Sequence, residues 1–327
     1  MKLSLLTAAL CSVLLCGSTQ AIVFVTHGFN ASHTEWYKPG GDFYEALKIA
    51  AVEQGHDIQH FTWRQNRLLG ASNEEHVAAG SLLALQIAKF CQTYTYNPEF
   101  PNNDKIIVVA HSYGGLVSYH ASKALDKFLH QIDLELAAKH SGFTGWFKKA
   151  WHSLAQNWQA SQPRPMINKL FTLGTPHQET DVVPSATGVQ KIYNVYSSAD
   201  RVASGAVAGE PLLPKSLQRH HRDACNVLLL GETNQTTLGF GHSEIHHPLI
   251  GQEIFNIGDY VDTTHPYDDK HSRTARHIVY TIEVPEECVT TTPTGNSTIT
   301  YNGLLAAAEK FGASIDWKAL QSYVPSC

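Results

Sequence analysis

Within "KIIVVAHSYGGLVSYHA", residues 105–121, Ser112 is followed by Tyr113 and two glycines, Gly114 and Gly115. A serine hydroxyl becomes a nucleophile when a base removes its proton and an acid orients the base. Such a serine stands on a tight strand-to-helix turn, where small neighbours let strand and helix approach closely. Gly114 and Gly115 supply them on one side, and Ala110 on the other in place of the more usual glycine. "AHSYG" alone is a weak signal, and a buried strand ending in a helix-capping serine is the rival reading.

A base and an acid must therefore come from elsewhere in the chain; if the serine turn lies in a parallel α/β sheet of hydrolase type, the expected order is serine, acid, histidine. In "YNVYSSADRVAS" Asp200 lies just past an apolar run and is the favoured acid; Asp181 in "ETDVVP" is the alternative. The rival reading of Asp200 is a turn residue paired with Arg201. Among 19 histidines, His242 in "LGFGHSEIHHP" follows a glycine and precedes a helix-like segment, so it is the favoured base. His246, four residues on, would share a helical face with it, and His247 points elsewhere. Both of these also fit ordinary surface or packing imidazoles. A developing oxyanion would need two backbone N–H donors. Tyr113 follows the nucleophile, and Phe29 follows Gly28 in "THGFN".

Strands must carry these residues. "KIIVVA" is a short, β-branched apolar run suited to a strand buried on both faces, and "LVSYHASKALDKFL" after it has helical spacing. "AIVFVTHGF", "DIQHFTW", "INKLFTLGTPH", "KIYNVYSSADRV" and "ACNVLLLG" read as further strands. "DFYEALKIAAVEQG" and "NEEHVAAGSLLALQIAKFCQTY" read as helices, the latter capped at Asn73. Alternating strands and helices predict an α/β fold with a mostly parallel sheet, whose functional residues gather at the carboxyl ends of the strands.

Taken in order, "VTHGFN", "VVAHSYGG", "LFTLGTPH", "YNVYSSADRV" and "GFGHSEIHHP" resemble the lipase-like α/β-hydrolases over roughly residues 22–250. The "LGTPH" strand end is similar to the bacterial triacylglycerol lipase and inositol-deacylase-like group, and some bacterial lipases carry the same A-H-S-x-G-G form. The resemblance implies an α/β-hydrolase fold and acyl transfer at carboxylic esters without a cofactor. Ser112 would be the nucleophile, His242 the base, Asp200 the orienting acid, and the amides of Phe29 and Tyr113 the oxyanion hole. An acyltransferase would use the same triad, and a non-catalytic binding module on this fold is the more remote alternative.

The chain has 327 residues and a formal charge of −5, which argues against a nucleic-acid partner; the resemblance implies an ester or lipid substrate. "MKLSLLTAALCSVLLCGSTQA", residues 1–21, reads as a secretory signal peptide with cleavage after Ala21, so a secreted or periplasmic location is expected. "VLLC" at Val13–Cys16 is a poor lipidation site because Leu15 precedes the Cys. Four cysteines remain beyond the leader, and Cys288 with Cys327, which bracket the C-terminal segment, are the expected disulfide; buried thiols are the alternative. The pairs His220–His221 and His246–His247 lack clean metal-ligand spacing and read as solvated surface.

The hydrolase domain is expected over residues 22–285, with a helical insertion at about 130–165 and a C-terminal extension of open role at 286–327. "TTTPTGNST", residues 290–298, reads as a polar linker, and "GLLAAAEKF" as a helix beyond it. In the insertion, Phe147, Trp151, Leu154 and Trp158 form one helical face. That stripe fits either an added helix packed on the core or a lid over the Ser112 cleft that makes transient contact with a membrane surface.

Overall fold

The computed structural model describes residues 21–28, 35–63, 73–93, 106–126, 144–157, 165–177, 188–203, 219–221, 223–234, 237–264, 276–284, 289–291 and 297–299. At its centre, β1 (Ala21–Thr26) and β3 (Ile106–His111) lie side by side and parallel, with Val25 opposite Val109. Every residue of both strands is buried, as their unbroken apolar runs require of a sheet covered on two faces.

From that pair the sheet grows both ways. β2 (His56–Phe61) adds parallel on the far side of β1. On the other side β4 (Ile167–Leu173), β5 (Val189–Tyr196) and β6 (Cys225–Glu232) follow β3, all parallel. β8 (Arg276–Glu283) runs parallel along the outer edge of β6. That edge is fully taken, so the short antiparallel β7 (Thr237–Gly239), which pairs Leu230–Glu232, lies on the inner edge of β6 beyond the end of β5. The expected mostly parallel sheet is present. Because β1 connects to β2 on one side and β3 lies on its other, strand order reverses there, and the crevice past the ends of β1 and β3 is the natural place for a site.

Alternation along the strands divides the core in two. Val23, Val25, Ile107, Val109, Phe171 and Leu173 face helices α1 (Asp42–Glu53) and α5 (Pro248–Thr264), which supply Phe43, Leu47, Ile254 and Phe255. Ile22, Phe24, Ile106, Val108 and Leu170 face the opposite layer. There α2 (Asn73–Thr93) and α3 (Tyr113–Asp126) contribute Leu83, Ile87, Val117 and Leu125, and α4 (Thr144–Asn157) contributes Trp151 and Leu154. The shift by one residue from face to face is the period-two rule for side chains on a strand.

Two expectations about the C-terminal half need correction or fall outside the structure. Residues 290–298 do not simply link: β9 (Val289–Thr291) pairs antiparallel with β10 (Ser297–Ile299), and Ile299 is buried in the α1/α5-side core beside Gly231. The polar reading overlooked that threonine is β-branched and favours strands. Residues 1–20 of the expected 1–21 leader, the helix "GLLAAAEKF", Cys288 and Cys327 lie outside the described residues, and Ala21 is the first residue of β1. No helix among the described residues is long and apolar enough to cross a membrane.

Candidate active site

Ser112 follows the last residue of β3 and immediately precedes α3. Its φ is +54°, the only positive φ among the described non-glycine residues. A left-handed serine costs about 1–2 kcal/mol relative to ordinary backbone, so the surroundings must hold it there. They do so through its main chain. Ser112 N–H donates to the Leu173 carbonyl at the end of β4 (2.9 Å), and the Ser112 carbonyl accepts from Gly115 N–H (3.0 Å) and Thr175 Oγ1 (2.9 Å). The expected small flank is needed: a Cβ on Gly114 would lie 2.6 Å from the His27 carbonyl oxygen, and one on Gly115 would overlap Thr175.

The structure brings His242 and Asp200 to this serine. His242 follows β7 in a turn, and its Nε2 lies 3.0 Å from Ser112 Oγ. Its Nδ1 lies 2.9 Å from Asp200 Oδ2. A carboxylate can only accept, so Nδ1 carries the hydrogen and Nε2 is left to accept the serine hydroxyl. Asp200 is fully buried just past β5. Its Oδ1 accepts from Ala203 N–H (2.9 Å), and its main-chain carbonyl accepts from Arg219 Nε (2.9 Å). Gly174, with φ +56°, gives the pair room: a Cβ there would sit 2.6 Å from Asp200 Oδ2 and 3.3 Å from His242 Nδ1. Neither Gly174 nor its left-handed turn was singled out from sequence, although "LGTP" carries the signal.

At the end of β1 a Cβ on Gly28 would lie 2.5 Å from Ser112 Cβ, so the β1 turn presses directly on the nucleophile. His27 fixes that turn. Its Nε2 accepts from Trp63 N–H (3.2 Å), which leaves Nδ1 to donate to the Gly28 carbonyl (2.7 Å), and its ring stacks on Trp63. Phe29, Asp181 and Trp158 lie outside the described residues, and Phe147 lies on α4. Tyr113 is the first residue of α3, where helix N–H groups project beyond the helix end.

The remaining histidines are placed differently from expectation. His247 and His221 are buried, not solvated. His247 Nδ1 accepts from Leu249 N–H (3.2 Å) at the start of α5, and burial pushes its pKa down to about 3. His246 closes a single 3-10 turn and stacks on Trp36 (4.2 Å between ring centroids), with its Nδ1 sealed from water. Burial lowers its pKa to about 3 as well. It faces neither Ser112 nor Asp200 in any hydrogen bond among the described residues. Trp151, expected on a stripe that could form a lid, is buried with Leu154 in the core shared with α2 and α3. Trp146 is the exposed tryptophan of that helix. Among the described residues no group of three or more His, Cys, Asp or Glu is arranged to hold a metal ion.

Serine on a strained strand-to-helix turn, acid after β5 and histidine after β6 and β7 give the site the layout of an α/β-hydrolase fold. No family model matches the chain, and no curated protein matches it. Among solved structures, one similar chain is from Xanthomonas campestris pv. campestris and is provisionally described as a hydrolase of the alpha/beta superfamily. It is 13% identical, covers 80% of this chain and 87% of its own length, and has a TM-score of 0.29. At that score the likeness carries no argument, and the layout of strands, turn and side chains is what defines the fold here.

Proposed function

We propose that this chain is an exported serine hydrolase that cleaves carboxylic esters, of lipase or esterase type. One observation carries the reading: His242 bridges Ser112 Oγ and Asp200 Oδ2 at 3.0 and 2.9 Å, with the serine held on a left-handed turn. Export rests on the sequence of residues 1–21 alone.

In this reading Ser112 Oγ attacks the ester carbonyl as its proton passes to His242 Nε2. Asp200 holds the ring in the tautomer that can accept and stabilises the imidazolium that forms. It can do so because both its oxygens already have a donor and it needs no further reorganisation. His242 then gives its proton to the departing alkoxide, leaving an acyl group on Ser112. Water, deprotonated by His242, releases the acid and restores the serine. The Tyr113 amide, at the head of α3, takes the oxyanion charge together with the Phe29 amide. Gly28, the residue before the second donor, packs on Ser112. The residues described require no cofactor for these steps.

The test is Ser112→Ala in the purified protein, assayed on p-nitrophenyl butyrate and with a fluorophosphonate probe. The expected result is loss of both turnover and labelling with the melting temperature kept. Substantial turnover by the variant would end the proposal. Release of the butyrate as an ester of an added alcohol, in preference to free acid, would turn it into an acyltransferase.

A further inference from the structure

His111 immediately precedes Ser112, is buried, and has no part in the proton transfers above. Its Nε2 lies 2.9 Å from the main-chain carbonyl oxygen of His242. A carbonyl can only accept, so Nε2 carries the hydrogen and donates it. Two adjacent residues of one turn therefore grip His242 at two points: Ser112 Oγ at its ring and His111 Nε2 at its backbone.

The ring of His111 is itself clamped. Trp36 meets it edge-on at 5.4 Å between centroids, His246 meets it edge-on at 4.6 Å, and the His242 ring lies 4.7 Å away. Trp36 and His246 stack on each other and so form a wall behind it. The segment that His111 holds is a turn from Phe240 to Ser243, between a three-residue strand and a single 3-10 turn. Such a short connection has few bonds of its own to fix the direction of its central side chain.

We infer that His111 is a positioning residue for His242, fixing the distance between base and nucleophile by a hydrogen bond from the residue beside the serine to the backbone of the base. The inference rests on the reading of Ser112, Asp200 and His242 as the reacting set. It assigns His111 no proton transfer. Its work is done by a donor at the Nε2 position, which a glutamine amide nitrogen can reach and a phenylalanine ring, of similar bulk, cannot supply.

The experiment compares His111→Phe, His111→Gln and Ser112→Ala for kcat and KM on p-nitrophenyl butyrate, with melting temperatures to confirm folding. His111→Phe should lose about 30- to 100-fold in kcat, the scale of a misplaced reacting group, with KM within about twofold. His111→Gln should recover to within about fivefold of the unaltered protein. A Phe variant above half of normal kcat, or a Gln variant no better than Phe, overturns the inference while an inactive Ser112→Ala leaves the site reading intact. An active Ser112→Ala overturns both.

Discussion

Just past β5 Asp200 holds His242; six residues earlier, on β5 itself, Asn194 holds His177. The two pairings are nearly equal in length, 2.9 and 3.0 Å, and each histidine donates to an oxygen. The second cluster is the more elaborate. Thr172, Asn194 and Asn226 lie opposite one another across β4, β5 and β6, on the face toward α2 and α3. Asn194 Oδ1 accepts from Thr172 Oγ1 and His177 Nε2, while its Nδ2 donates to Asn226 Oδ1 (2.7 Å) and the Arg219 carbonyl (2.8 Å). Asn226 Nδ2 in turn donates to the His221 and Ala224 carbonyls.

An amide oxygen orients an imidazole as well as a carboxylate oxygen does, but it brings no charge to stabilise a cation. His177 accordingly has its pKa pushed down to about 3 by burial and by nearby His221, and stays neutral. In the proposed reading one cluster serves proton transfer, and the other ties three strands together. They are joined through Arg219, whose carbonyl is held by Asn194 and whose Nε holds the Asp200 carbonyl. Hydrogen bonding alone does not mark a catalytic histidine; a charged partner and an adjacent nucleophile do.

Making the first cluster resemble the second is the largest test. Asp200→Asn should lower kcat by about 10³- to 10⁴-fold, because the amide favours the wrong tautomer and leaves the imidazolium uncompensated. Activity within tenfold of normal would show that the carboxylate is not what separates the two sites. The reverse change should not create a second site. Asn194→Asp would set a carboxylate oxygen against the carbonyls of Arg219 and Asn226, replacing two donated hydrogen bonds by repulsion. It should destabilise the fold by about 3 kcal/mol at pH 8, read as a lower urea midpoint. A variant as stable as the original would mean that the ladder is not structural.

Acid provides the finest test. His76, His177 and His247 are buried, and burial lowers their pKa values to about 4, 3 and 3. In the unfolded chain each titrates near 6.5, so stability is fully present above that pH. As pH falls toward 4 the unfolded chain gains protons that the folded one refuses. Each such histidine then removes about 1.4 kcal/mol per pH unit. Uptake on unfolding should rise from about a quarter of a proton per such histidine at pH 7 to about one at pH 5, and His177→Gln should reduce the uptake at pH 5 by about one. An unchanged uptake would place a charge on His177 in the folded state and overturn its reading as a neutral structural residue.

Sequence shows some of this well. "KIIVVA" with Gly114 and Gly115 located the serine turn, because a β-branched run and close-packing glycines leave local traces. Asp200 and His242 were legible from chain order and from their places beyond apolar runs. Other features left no such trace. His111 sits in a pentapeptide position where the residue type is free, and its partner is a backbone carbonyl 131 residues away. The burial of His221 and His247 was missed because paired histidines look polar in a linear reading, whereas Asn226, Asp223 and Leu249 supply local partners. The hairpin at 289–299 was hidden by polar composition. Its strands are three residues each, too short for alternation to show.

The left-handed φ of Ser112 has a consequence for how this protein would change over generations. Glycine at that position would relieve about 1–2 kcal/mol of backbone strain, offset in part by the greater freedom it gives the unfolded chain and by the lost hydrogen bond between Ser112 Oγ and His242. By that strain alone, a lineage released from selection for chemistry would be drawn toward glycine at 112 before it lost its core. Serine stands here in a conformation that penalises it, so the residue is one that backbone strain alone would not favour.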